Sequence, residues 1–293
     1  MRGFDSVLLA LDGSPEAARG ASCALWLADA LGATLHVVHA TRHPLAAADE
    51  LARLRVPHAR GSQVVVHQLQ GEAEPAILEE IEAHRIDLVV MTARGESASA
   101  DAQPARALGS VVRAVIERTR APVVLLPARY RERLPWTSML AAASGEAAAD
   151  QALDTATRLA AALRIRVTVV HSEDGPSGAA GAALGSAYAD APHHEYPRRL
   201  DQLVARGLAR CSEQEAACVD DVLLCRGEPA AVLLEQAARL DSSVLALGWH
   251  GALGAGRAPV FKRLLETSQR ALLLVRGSEA SGARLKVGSE IDA

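Results

Sequence analysis

Asp12 follows the apolar run Ser6-Val7-Leu8-Leu9-Ala10-Leu11 and opens the turn Asp12-Gly13-Ser14-Pro15. A carboxylate just past a strand end can accept hydrogen bonds from a ribose hydroxyl or an adenine amino group. Val38, in the next apolar run, offers main-chain groups that can pair with an adenine edge. Gly95, Gly109 and Ser110 belong to a glycine-bearing loop and to the start of the helix after it. Bare backbone N–H groups and a helix N-terminus favour phosphate. Such a site is assembled mostly from main chain, and no nucleophile-and-base pair is needed to explain it. The same residues also have a plain structural reading. Asp12-Gly13-Ser14 can be a turn and N-cap, Gly95 and Gly109 ordinary loop and helix-start glycines, and the residues alone weigh the two readings about equally.

A parallel sheet would bring these groups together, because ligands bind beyond the carboxyl ends of its strands, where the winding reverses. Ser6–Leu11 reads as a strand, and Ser14 as the N-cap of a helix that starts at Pro15 and stops at Gly32. Further strands are expected over 34–39, 64–69, 87–91 and 122–126, with helices over 75–84 and about 106–119 and a polar, Ala-rich segment over 44–54. Five strands with intervening helices make a doubly wound α/β domain.

The pattern then repeats. Ala142-Ala143-Ser144-Gly145-Glu146 echoes Asp12-Gly13-Ser14-Pro15-Glu16, which puts Ala142 where Asp12 stood. Val167–His171 echoes Leu35–His39, Gly227-Glu228-Pro229-Ala230 echoes Glu74-Pro75-Ala76, and Leu272–Val275 echoes Val123–Leu126. The expected organisation is a first domain over 1–128, a linker over 129–135, a second domain over 136–277 and a flexible tail over 278–293. An insertion over 172–197 is expected as a surface loop ahead of a helix over about 199–209.

Composition agrees. At 293 residues, 49% hydrophobic but only 3% aromatic, the chain is long enough for two domains with Ala-, Leu- and Val-built cores. A net charge of −4 and the lack of a Lys/Arg cluster argue against a nucleic-acid partner. The apolar run at Val7–Leu11 is too short for a signal peptide or a membrane span, so a cytoplasmic location without membrane contact is expected. Cys211, Cys218 and Cys225 recur every seven residues, which is no zinc spacing. With Cys23 they read as structural thiols, a Cys211–Cys218 redox switch being the lesser reading. His39 and His171 end equivalent strands without nearby carboxylates, and no metal site is expected from them. Trp249 is expected to pack, with His250 facing solvent and His193-His194 in a solvated loop.

The strand ending in Asp-Gly-Ser, the loop after Val89-Val90-Met91, then Gly109-Ser110-Val111-Val112 and the closing Ala121-Pro122-Val123-Val124-Leu125-Leu126 resemble a universal stress protein domain, and the resemblance runs nearly the whole chain, twice. It implies two tandem doubly wound five-stranded parallel-sheet domains of the adenine nucleotide α-hydrolase-like fold, paired as an internal pseudo-dimer, with a further homodimer and an unidentified protein partner left open. It also implies binding of ATP, or ADP or AMP, with or without magnesium, through a loop spaced Gly, two residues, Gly, nine residues, Gly, then Ser or Thr. In the first domain Thr92 stands at the first glycine, Gly95 fits the second, and Gly109-Ser110, continued by Val111, fit the last pair after an insertion. The second domain keeps Gly248 and Gly251 but closes without a Gly-Ser pair. There Gly254, Gly256 and Arg257 form the weaker candidate site. A scaffold of the same fold that has lost nucleotide binding is the main alternative. A hydrolase is weaker, since Asp12-Gly13-Ser14-Pro15-Glu16 lacks the Ser-Gly-Gly-x-Asp-Ser form, so no catalytic residue is assigned and at most slow ATP hydrolysis is expected.

Overall fold

A computed structural model describes residues 3–94, 108–173, 195–254 and 256–277. Gly95, His193, His194, the expected helix start at 106 and the tail over 278–293 lie outside the described residues. Strand β1 (Ser6–Leu11) is followed by α1 (Pro15–Leu31), β2 (Thr34–Ala40), α2 (Ala47–Arg53), β3 (Val64–Leu69), α3 (Ala73–Ala83), β4 (Leu88–Thr92), α4 (Ser110–Arg118) and β5 (Val123–Leu126). The second half runs β6 (Ser138–Ala143), α5 (Ala147–Leu163), β7 (Arg166–Glu173), α6 (Glu195–Gly207), α7 (Glu213–Ala216), β8 (Val219–Arg226), α8 (Pro229–Arg239), β9 (Val244–Trp249), α9 (Pro259–Thr267) and β10 (Ala271–Arg276).

Side chains alternate across a strand, and helices cover both faces, so the central strands are apolar throughout. Val7, Leu9 and Leu11 of β1 join one core layer with α1 and α5, while Leu8 joins the other with α3, α4, α8 and α9. α1 begins where Ser14 Oγ accepts from Ala17 N at 3.0 Å, and ends at Gly32, whose φ of 67° is open to glycine at little cost.

Among the described residues ten strands form one sheet in the order β3-β2-β1-β4-β5-β10-β9-β6-β7-β8. Neighbours are parallel except at the centre, where β5 and β10 pair antiparallel with Val124 opposite Leu273. Each half thus has the winding expected of it, and the two join edge to edge as an internal pseudo-dimer. The segment over 129–136 is tied down on the way: Arg19 Nη2 donates to Tyr130 O at 2.5 Å, Arg133 pairs with Asp241, and Trp136 meets Trp26 with ring centroids 5.2 Å apart.

Two repeat assignments need correction. Val7 pairs with Leu88 as Met139 pairs with Val244, and Gly13 and Gly145 share a φ of 84°. The residue matching Asp12 is therefore Ser144, not Ala142. Likewise Gly71, with a φ of 110°, and the N-cap Glu72 match Gly227, with a φ of 134°, and the N-cap Glu228, so α3 begins at Ala73 rather than Pro75. Pro75 sits inside the first helical turn, where its missing N–H costs nothing. Two further departures concern helices. α6 starts at Glu195, ahead of 199, and the segment over 44–54 contains α2, which encloses Glu50.

Candidate functional site

The ends of β1, β2 and β4 and the start of α4 meet at the carboxyl edge of the first half, beside the β1/β4 switch point. Asp12 Oδ1 accepts from Ser14 N at 3.0 Å, which turns the chain sharply through Gly13. Thr92 Oγ1 donates to Arg94 O at 2.9 Å, and Gly109 N donates to Ala93 O at 2.9 Å, so the two ends of the intervening loop are drawn together. Gly109 caps α4 without a side chain, leaving no cap oxygen for the first-turn amides. A cavity of about 90 Å³ lies here, lined by Asp12, Val38, Thr92, Arg94, Gly109, Ser110 and Val111 among others. Gly13 and Ser14 are beside it as turn and cap and do not line it. Arg94 is the residue that sequence reasoning passed over. Its Nε is buried with no hydrogen-bond partner among the described residues, and it follows directly on the β4 end, the one cue that was available.

The corresponding place in the second half holds a larger cavity of about 440 Å³. Ser144, Glu146, His171, His250 and Arg257 supply its polar groups, and Ala142, Val170, Leu247 and Phe261 part of its apolar wall. His171 Nδ1 donates to Ala143 O at 2.7 Å, and the exposed pair Glu146–His250 closes to 2.6 Å. Gly248 lines the cavity, and α5 lies so close to it that a Cβ there would come 2.1 Å from Ala148 O. Of the weaker site residues, Gly248 and Arg257 face the cavity, while Gly251, Gly254 and Gly256 do not line it. Instead Lys262 Nζ donates to Gly254 O at 2.8 Å, and Gly251 lies against the Arg276 side chain. α9 starts differently from α4. Ala258 caps it at a φ of 50°, and Pro259 removes the first amide donor, so this helix end offers an anion less than α4 does. The loop also leans on the first half, Leu253 N donating to Glu117 Oε1 at 3.1 Å. Trp249 is buried against Phe261, with ring centroids 5.9 Å apart.

Contrary to the sequence expectation, His39 does have a carboxylate beside it, supplied by α2: His39 Nδ1 lies 2.6 Å from Glu50 Oε1, and Arg53 Nη2 reaches the same oxygen at 2.7 Å. Burial alone pushes the Glu50 carboxyl up, but the hydrogen bonds and charges of Arg53 and His39 outweigh it and hold the group below its ordinary value. All four cysteines are free thiols. Burial, with the Asp154 carboxylate close by, pushes Cys211 up to about 12, and burial also raises Cys23, Cys218 and Cys225. Thiols so raised are poor nucleophiles. No described helix is long and apolar enough to cross a membrane.

The sequence profile of the Universal stress protein family matches residues 3–54, 41–127 and 135–276. No curated protein matches at a significant level. A solved universal stress protein from Archaeoglobus fulgidus DSM 4304 aligns with TM-score 0.62 and 14% identity over 94% of this chain and 99% of its own. One assigned to the same family, from Pseudomonas aeruginosa UCBPP-PA14, aligns with TM-score 0.60 and 16% identity over 93% of each chain. A universal stress protein solved in complex with cAMP matches 42% of this chain at 25% identity and TM-score 0.34.

Proposed function

Because the chain belongs to the universal stress protein family, we propose that it is a stress-response and signalling module whose first domain binds ATP or a related adenine nucleotide. The observation that carries this reading is Arg94. Arg94 lines the cavity together with Asp12 and the first residues of α4, and its Nε is buried without a described partner. A phosphate satisfies that nitrogen and the α4 amides together. In this arrangement Asp12 takes the ribose or adenine end, the Val38 main chain lines the base side, and Thr92, Gly109, Ser110 and Val111 surround the phosphates. Gly95 belongs to the same loop by sequence. ATP would bring its charge and any magnesium as a bound pair, while the chain's own part is to hold and orient. The reading assigns no catalytic group. Its regulatory effect would pass to a protein partner in the cytoplasm.

One observation favours a second reading. The cavity in the second half is about 440 Å³ against about 90 Å³, and ligand pockets run to roughly 300–1,000 Å³. On this reading the ligand sits among Ser144, His171, Arg257 and the apolar wall. Calorimetric titration and thermal shift with ATP, ADP, AMP and cAMP, with and without magnesium, separate the two. Asp12→Ala should weaken nucleotide binding by about 10-fold or more, as expected for a lost charge-assisted contact. Ala142→Leu, which narrows the second cavity, should leave it unchanged. The reverse result moves the site to the second half. Flat curves at millimolar nucleotide for the wild type leave a non-binding regulatory scaffold, since a ligand bound only by the native state must raise Tm.

A further inference from the structure

Three histidines meet beneath α3, away from either cavity. His36 on β2 and His67 on β3 share the sheet face that α3 covers, because His67 is in register with Val38, two residues along from His36. Glu80 and His84 stand one turn apart on α3. His36 Nδ1 is 3.0 Å from His67 Nε2, and the three ring centroids are 4.7–5.2 Å apart. One nitrogen from each ring lies within 4.8 Å of the other two. Glu80 Oε2 stands 3.0 Å from His67 Nδ1 and 3.0 Å from His84 Nε2, yet it is buried with neither contact aligned as a hydrogen bond.

We propose that His36, His67 and His84 form a binding site for a divalent transition-metal ion of the zinc class, with the Glu80 carboxylate orienting the imidazoles. Zinc takes imidazole nitrogen at about 2.0–2.1 Å in a tetrahedral array, which places ligand nitrogens roughly 3.3 Å apart. Nitrogens within 4.8 Å of one another have to close by up to about 1.5 Å to reach that spacing. A carboxylate on the far nitrogen of a ligating imidazole is the usual outer partner of such sites, and Glu80 at His67 Nδ1 occupies that place. Three imidazoles and one carboxylate suit zinc, cobalt, nickel or copper, and not magnesium or calcium. His84, 39% exposed at its side chain, gives the ion access from solvent.

The second half supplies the internal control. In the same register the places of His36, His67, Glu80 and His84 are taken by Thr168, Leu223, Gln236 and Leu240, packed under α8 in the same fold. The architecture therefore does not require an imidazole at any of these positions. Setting the buried His36 against the half-buried His67 costs desolvation that Leu avoids.

The test uses the full chain without an affinity tag, stripped by chelator and titrated with zinc sulfate and then cobalt chloride. One zinc per chain should bind in the micromolar range or tighter, and cobalt should give the intense visible spectrum of a tetrahedral site. His67→Leu and His84→Leu, residues that the second half already accommodates, should each keep the fold by circular dichroism and weaken zinc by about 10–100-fold or more, and Glu80→Gln by about 10-fold. Zinc should raise Tm in the wild type and not in the His67→Leu/His84→Leu double variant. Undiminished stoichiometric zinc in the double variant, an octahedral cobalt spectrum, or no zinc uptake by the wild type would each overturn the proposal.

Discussion

Glu50 shows how much a single enclosed charge can depend on its neighbours. Its side chain is fully buried, and Arg53 and His39 are the groups that hold it. Of its two partners His39 is buried, while Arg53 is 43% exposed and keeps its own solvation, so losing the charge costs about what hydrogen bonds to a charged group contribute, roughly 1.5–3 kcal/mol. Glu50→Gln should therefore lower stability by about 2 kcal/mol near neutral pH, read by urea unfolding. The sign of the pH effect follows from the carboxyl being held below 4.5: the contribution is complete above that value and is lost as the pH falls through the folded-state pKa. The gap between wild type and Glu50→Gln should accordingly narrow on acidification below 4.5, and a gap of constant size would assign the cost to packing instead.

At the level of the elements, α9 carries a cap that works against it. Ala258 sits in left-handed conformation, which costs an L-residue with a Cβ about 1–2 kcal/mol. Ala258→Gly should raise Tm by about 2–4 °C, a gain that a scanning calorimeter resolves. Most strands and the α1 cap were legible in the sequence, because Ser14, Pro15 and Gly32 are local signals and the strands are apolar on both faces. The repeat register was not. Matching Glu74-Pro75-Ala76 to Glu228-Pro229-Ala230 follows letters, whereas the chain starts α3 and α8 by the positive-φ glycines Gly71 and Gly227. α2 was hidden for a different reason: it has no apolar stripe and encloses a carboxylate. The histidine cluster draws on β2, β3 and α3, so no one stretch of sequence contains it. Of the candidate site, Asp12, Val38, Thr92 and Gly109 were visible as motif residues, but Arg94 gained its meaning only from burial.

On the scale of the whole molecule, the β5–β10 seam joins two halves that each have a complete sheet. Val124 and Leu273, paired at its middle, are both fully buried. Val124→Asp puts an unpaired carboxylate there at a cost of several kcal/mol, on the order of 4. The wild type is expected to unfold in urea as one transition and the variant as two, followed by tryptophan fluorescence; one undisturbed transition would mean that the seam contributes little. The direction of that pairing has a consequence for anything that docks on the protein. Since β5 and β10 run opposite ways, the carboxyl ends of one half lie level with the amino ends of the other, and the two cavities open toward opposite rims. A single flat partner can then cap only one mouth, and a partner that senses both must wrap around the slab or come as a pair.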